Sequence, residues 1–216
     1  MSEARDVILG RVRAALQDVP ADERPEDVPV VRDYRQIDTL RTGEELAATL
    51  TERLVDYGAQ VVRCGQEELG VQITSACARW RLRRLGVPAG LPEHWRPAGP
   101  ELVVDDGDST GDLDRLDAAL TGCVAAVAET GTIVLDGGSR CGRRALTLVP
   151  DTHICVVEMD QLVSIVPEAI SGLASDHVRR VRPITLISGP SATSDIELAR
   201  VDGVHGPRNL LVFLAC

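Results

Sequence analysis

Apolar positions at Val7, Ile8, Val12, Ala15 and Leu16 recur at helical spacing, which predicts a helix over residues 3–17. Asp18 to Pro29 then holds three prolines and five acids, the composition of an extended linker. Residues 1–29 therefore read as a helical arm with its linker, and 30–216 as the main domain. Thr42-Gly43-Glu44-Glu45 has the spacing of a capping box, and Leu46, Leu50, Leu54 and Val55 continue it as a helix that Gly58 stops. A short strand is predicted at Ala59–Val62, a longer helix over about Glu67–Leu85, and a strand at Leu102–Val104. A helix is expected over Leu113–Leu120 with Asp112 as its cap. Cys123–Ala128 and Thr132–Leu135 are apolar strands joined by Glu129-Thr130-Gly131, a three-residue loop with glycine last that suits an antiparallel hairpin. Two more short strands are predicted at Leu146–Val149 and Ile154–Val157, then an amphipathic helix over Leu162–Ile170 entered through Asp160. Apolar runs at Ile184–Ile187 and Leu210–Leu214 close the pattern as buried strands. Short apolar strands alternating with helices define an α/β layered fold with a mainly parallel sheet, made mixed by the hairpin.

Composition narrows the function. The hydrophobic share of 44% supports a full core, and the net charge of -10 argues against a nucleic-acid or anionic-membrane surface. All 23 basic residues are arginine. Schiff-base chemistry and a phosphate-loop lysine are thereby excluded, and anions must be gripped by guanidinium groups. Aromatic residues at 2% are too few for a base-stacking platform, and no apolar run is long enough to span a bilayer. The N-terminus has no signal-peptide pattern. Cys64, Cys77, Cys123, Cys141, Cys155 and Cys216 form no C-x-x-C pair, so no iron–sulfur or zinc ligation is expected on this chain, and free thiols in a cytoplasmic setting are expected instead.

The candidate chemistry gathers in two places. Gly189-Pro190-Ser191-Ala192-Thr193-Ser194-Asp195-Ile196-Glu197 and Gly203-Val204-His205-Gly206-Pro207-Arg208 form one elaborate connection between two buried strands, where α/β proteins often place ligand sites. Gly189 permits close approach of a ligand, and Ser191 and Thr193 offer hydroxyls. Ser194 or Asp195 could cap a short helix from Ile196 whose free N–H groups would favour an anion. Asp195 and Glu197 could share acid–base work, but acids in a first helical turn also serve the helix dipole. His205, with Gly206 beside it, is a candidate base, and Arg208 a candidate clamp for carboxylate or phosphate; each could equally be structural or solvated. His153 and His177 lie far from His205 in the sequence, so no metal site is expected. The second place is Glu129-Thr130-Gly131-Thr132. Glu129 would have a raised pKa if buried at a pocket floor and would be an ordinary turn residue if exposed. Arg140 and Arg143, among Gly137, Gly138 and Gly142, could form an anion-binding loop near it or a solvated one.

Ala128-Glu129-Thr130-Gly131-Thr132, Leu148-Val149-Pro150-Asp151-x-His153, the 189–197 segment and the 203–208 segment occur in this order. Together they resemble the LUD domain of the lactate-utilization protein C family over roughly residues 40 to 216. The resemblance implies a three-layer α/β/α sandwich similar to the NagB/RpiA/CoA-transferase group. It also implies a part in oxidising L-lactate to pyruvate within a set of three proteins, where the other two carry cysteine clusters and do the iron–sulfur electron transfer. Members of the wider fold use a nucleophilic glutamate toward CoA thioesters, which carries over only onto Glu129. The missing lysine counts against a sugar-phosphate isomerase.

Three readings follow. The first is a non-redox subunit with iron–sulfur partner proteins, binding a small carboxylate or nucleotide-like ligand between the Glu129 hairpin and the 189–208 loop. In it Arg208, with Arg140 or Arg143, would hold the anion, Thr130, Ser191 and Thr193 would hydrogen-bond it, and Glu129 or His205 would handle a proton. The second is an acyl- or CoA-transferase-like enzyme with Glu129 as nucleophile. The third is a scaffold whose N-terminal arm docks partners; packing of that arm on another copy, giving a homo-oligomer, and packing on its own domain stand level.

Overall fold

The computed structural model describes all residues except 1–2, 21, 25–26, 28, 32, 40, 106, 108–112, 178–181, 194–200 and 204. For 3, 174–177, 192–193 and 201–202 it describes the backbone alone. The chain divides into two compact units, Met1–Tyr34 and Arg35–Cys216. The first contains helix α1 (Glu3–Ala15).

Helix α2 (Gly43–Asp56) starts where the capping box places it. The Thr42 hydroxyl accepts from the Glu45 N–H at 3.3 Å, and the Glu45 carboxylate accepts from the Thr42 N–H at 2.7 Å, so two N–H groups that the helix cannot serve internally are satisfied. Gly58, at φ +88°, takes the left-handed conformation that ends the helix, and β1 (Gln60–Cys64) follows. The stretch 67–85, expected as one helix, divides. After a short 3-10 turn comes α3 (Leu69–Trp80); Arg81 goes left-handed at φ +58°, and β2 (Arg84–Pro88) begins, with Leu85 wholly buried.

Strands β3 (Glu101–Asp105), β4 (Ala118–Gly122), β5 (Ala125–Val127), β6 (Thr132–Leu135), β7 (Thr152–Glu158) and β8 (Leu162–Val163) come next. Then follow α4 (Val166–His177), β9 (Thr185–Ile187), the paired β10 (Ala192–Thr193) and β11 (Val201–Asp202), and β12 (Asn209–Ala215). Three sequence expectations fail here. Leu113–Leu120 is a 3-10 turn at Leu113–Arg115 followed by β4, because Ala118, Ala119 and Leu120 are buried on every side and such a run carries no period to tell helix from strand. Its expected cap, Asp112, lies outside the described residues. Leu146–Val149 forms turns rather than a strand, with only Leu146 of its large residues buried. Leu162–Ile170 begins as β8, and the helix starts four residues later. Asp160 lies in a preceding 3-10 turn, and Glu168 instead accepts from the Ser164 and Ile165 N–H groups at 2.7 and 3.1 Å.

Six strands form a wholly parallel sheet in the order β1-β12-β7-β4-β2-β3. The antiparallel hairpin expected around Glu129 is present as β5–β6, but in a second, four-stranded sheet ordered β8-β5-β6-β9. The period of two along each strand builds the layers. From β7 and β12, Ile154, Val156, Leu211 and Phe213 meet α3 residues Leu69, Ile73 and Cys77 on one face. Cys155, Val157, Leu210, Val212 and Leu214 face the other way, onto Leu50 and Leu54 of α2 and onto Ala126, Ala128 and Ile133 of the second sheet. The far face of that sheet, Ala125, Val127 and Val134, is covered by Ala169 and Leu173 of α4. Each large side chain so buried contributes roughly 1.5–3 kcal/mol.

Candidate functional site

Parallel strands give the main sheet two distinct edges, and the sequence-predicted residues divide between them. The carboxyl edge holds the glycine–arginine loop. The Gly122 N–H, at the end of β4, donates to the Arg140 carbonyl at 2.9 Å, and the Gly90 N–H, just past β2, donates to the Ser139 carbonyl at 2.9 Å. Arg140 stacks over the buried Trp95 ring at 4.7 Å and pairs with Glu158, the last residue of β7, at 2.5 Å. Arg143 reaches Asp105, the last residue of β3, through Nε at 2.9 and 3.0 Å and a terminal nitrogen at 2.8 Å. Asp105 is only 5% exposed, so this guanidinium neutralises a buried carboxylate. Asp136 accepts from the Gly138 N–H at 2.8 Å and from Arg182 at 2.9 Å. Arg140 and Arg143 thus hold the loop down over the strand ends. Neither pairs with Glu129 and neither borders the clefts beside the 189–208 loop, in place of the anion-binding loop near the hairpin that the sequence offers.

The amino edge gathers the rest. Gly131 sits at φ +60° against α2, where an added Cβ would lie 2.6 Å from that of Arg53. Gly189, at φ +104°, rests on the end of the same helix, with an added Cβ 2.7 Å from that of Tyr57. Both turns need glycine for conformation and for space. A hydroxyl chain ties them together: Thr130 to Thr132 at 2.7 Å, and Thr132 to Ser188 at 2.8 Å. Ser191 fastens the remainder. Its N–H donates to the Pro207 carbonyl at 2.8 Å, its carbonyl accepts from the Gly203 N–H at 2.9 Å, and its hydroxyl accepts from the His205 N–H at 3.2 Å. Arg208, just before β12, pairs at 3.2 Å with Asp151, just before β7, and both are exposed. Thr193 lies in β10, its side chain outside the description; Asp195, Glu197 and the helix start at Ile196 lie outside the described residues.

Two open clefts flank His205 and Gly206. One, about 560 Å³, is bordered by Leu148, Val149, Asp151, Gly203 and Arg208. The other, about 240 Å³, lies between Arg144 and Thr147 on one side and residues 186–191 with Pro207 on the other. Glu129 borders neither. Its side chain is 43% exposed at the hairpin tip and ion-paired with Arg35, so the exposed alternative holds for it.

Two residues beside the site are not among those that the sequence marks as candidates. Arg144 is exposed, borders the smaller cleft, and bonds Thr147 Oγ1 at 3.3 Å; among the described residues it has no carboxylate partner. Nothing in the run Arg140-Cys141-Gly142-Arg143-Arg144 marks it out from its neighbours. His153, in β7, is 1% exposed, and its Nε2 lies 2.8 Å from the Thr121 hydroxyl. Burial, helped by the nearby charge of Arg144, pushes its pKa down to about 4, so the imidazole is neutral at pH 7. The six cysteines are unpaired, and burial pushes Cys77 up to about 11 and Cys141 up to about 12, away from thiolate chemistry. Among the described residues no three His, Cys, Asp or Glu side chains converge as metal ligands, and no helix is long and apolar enough to cross a membrane.

An α/β domain with a capped carboxyl edge and an open, hydroxyl-lined amino edge is the class that these observations define. Residues 106–215 match the family model described as the LUD domain. Over 214 residues the chain is 42% identical to lactate utilization protein C of Deinococcus radiodurans, covering 99% of this chain and 96% of that one. It is 30% identical over 177 residues to the protein of the same name from Geobacillus thermodenitrificans, covering 77% and 67%. A crystal structure of a DUF162 family protein from Deinococcus radiodurans superposes with a TM-score of 0.70 at 39% identity, covering 82% of this chain and 99% of that one. The chain belongs to the LUD-domain, lactate utilization protein C family.

Proposed function

We propose that the chain serves lactate utilization as a non-redox subunit of a system that oxidises L-lactate to pyruvate, with iron–sulfur clusters supplied by separate partner proteins. The observation that carries this reading is the 42% identity to a lactate utilization protein C along nearly the whole of both chains. The thiols fit a part without electron transfer, since burial holds Cys77 and Cys141 protonated. The ligand site of the subunit is the amino edge, where the Ser188–Ser191 turn and His205 border the smaller cleft. The test is gentle capture of the tagged chain from lactate-grown source cells, with co-purifying proteins identified by mass spectrometry. Stoichiometric capture of proteins bearing cysteine clusters is the expected outcome; recovery of the chain alone would overturn the subunit reading.

A further inference from the structure

We propose that helix α1 pairs with the α1 of a second copy of this chain, so that the protein is a homodimer joined through its N-terminal arms. Of the two placements that the sequence leaves level for the arm, this takes the second copy, and it does not depend on the lactate reading above.

Three observations carry it. First, α1 leaves its apolar stripe uncovered. Val7, Ile8, Val12 and Leu16 are between 47% and 60% exposed, and Val19, just past the helix, is 41% exposed. Among the described residues none of these five belongs to a core cluster. A helix of 13 residues with Gly10 inside it is marginal in water on its own, so it needs a cover over that stripe to hold its shape. Second, Ile8, Val12, Ala15 and Val19 follow one another at steps of four, three and four residues. That is the seam by which one helix interlocks with a like helix, its side chains entering the holes between those of its partner. Third, the area is enough for a stable pair. Val30, Val31 and Tyr34 lie in the same unit and are also exposed. With the five residues of the stripe they present on the order of 800 Å², which matches the ~800 Å² that each partner gives to a standard interface. Two copies meeting through the same patch close about a two-fold axis and leave no part of it open to a third.

The experiment is sedimentation equilibrium of the purified full chain over a wide range of concentration. It is repeated on the double variant Ile8→Asp/Val12→Asp and on Val71→Asp, which puts the same charge on an exposed apolar residue of α3. The expected result is a reversible dimer for the unmodified chain and for Val71→Asp. In the double variant the dissociation constant should rise at least tenfold, with the sheet core still folded by circular dichroism because the stripe is no part of it. A monomer at every concentration, a dimer that survives the double substitution, or a dimer that Val71→Asp weakens as much would each overturn the proposal. If the unmodified chain is monomeric, a lower thermal midpoint in the double variant would assign the stripe to the chain's own domain, and an unchanged one would assign it to a different protein. Capture of iron–sulfur proteins is scored separately, in cells, so failure of the dimer and failure of the subunit reading are told apart.

Discussion

The two edges of the parallel sheet use the same residue types to opposite ends. At the carboxyl edge, glycines let a loop lie flat on the strand termini, and its arginines are each matched to a carboxylate at a strand end. At the amino edge, glycines shape open turns, hydroxyls face one another, and Arg144 meets no carboxylate among the described residues. Ligands of open α/β sheets are generally sought at the carboxyl ends of strands. Here that edge is closed by internal ion pairs, and the open chemistry sits at the other. Which arginines of the 140–144 run are held by a carboxylate is therefore decided by three-dimensional pairing and not by their spacing.

The largest effect that could break this contrast is at Arg143. Arg143→Ala strands Asp105, a carboxylate 5% exposed, and should lower stability by roughly 3–5 kcal/mol, read as a shift in the urea midpoint. A loss under about 1 kcal/mol would mean that the carboxyl edge is not held closed by its ion pairs, and the distinction between the edges would fail.

His153 sits beneath the open edge and tests it from inside. Its folded pKa of about 4 lies below the ordinary 6.5, so folding favours the neutral imidazole. That contribution is complete above about pH 6.5 and is lost as the pH falls toward 4, up to about 3 kcal/mol in the limit. His153→Gln keeps a polar group beside Thr121 and should flatten this part of the pH dependence, measured as the difference in unfolding free energy between pH 7 and pH 4.5 for the two proteins. Arg144→Gln should flatten it less, since burial is the larger cause and the guanidinium the smaller. Parallel curves for His153→Gln and the unmodified chain would show that the imidazole is not held neutral.

Much of the architecture is legible in the sequence because it is written in local rules. The Thr42–Glu45 capping box, the Gly58 stop, the β5–β6 hairpin and the continuous apolar run of β12 all appear where spacing, glycine and hydropathy place them. The misreadings fall where burial removes the period: Ala118–Leu120 is enclosed on all sides, and a strand there looks like a helix. The hairpin, expected to make the parallel sheet mixed, instead joins β8 and β9 in a sheet of its own, because strand partners are set by tertiary packing that no local pattern encodes. For the site, the turns around Gly131, Gly189 and His205 could be found from their glycines and hydroxyls. That Arg140 and Arg143 are spent on ion pairs could not, because it depends on Glu158 and Asp105 arriving from distant strands.

The smallest effect sharpens the contrast from the exposed side. Glu129 and Arg35 form an ion pair with side chains 43% and 51% exposed, and such pairs are worth about 0–1 kcal/mol because water and salt screen them. Glu129→Gln, Arg35→Gln and the double substitution should each move the urea midpoint slightly, with a coupling energy below about 1 kcal/mol. A coupling above about 2 kcal/mol would mean that the amino edge is braced by its ion pairs as the carboxyl edge is. The same proteins test the acyl-transfer reading. Glu129 is exposed and borders neither cleft, so the intact chain should show no covalent mass increase with acyl-CoA compounds, and freeing Glu129 by Arg35→Gln should not create one. An adduct that appears on the unmodified chain and vanishes in Glu129→Gln would make the hairpin tip an acyl-transfer centre.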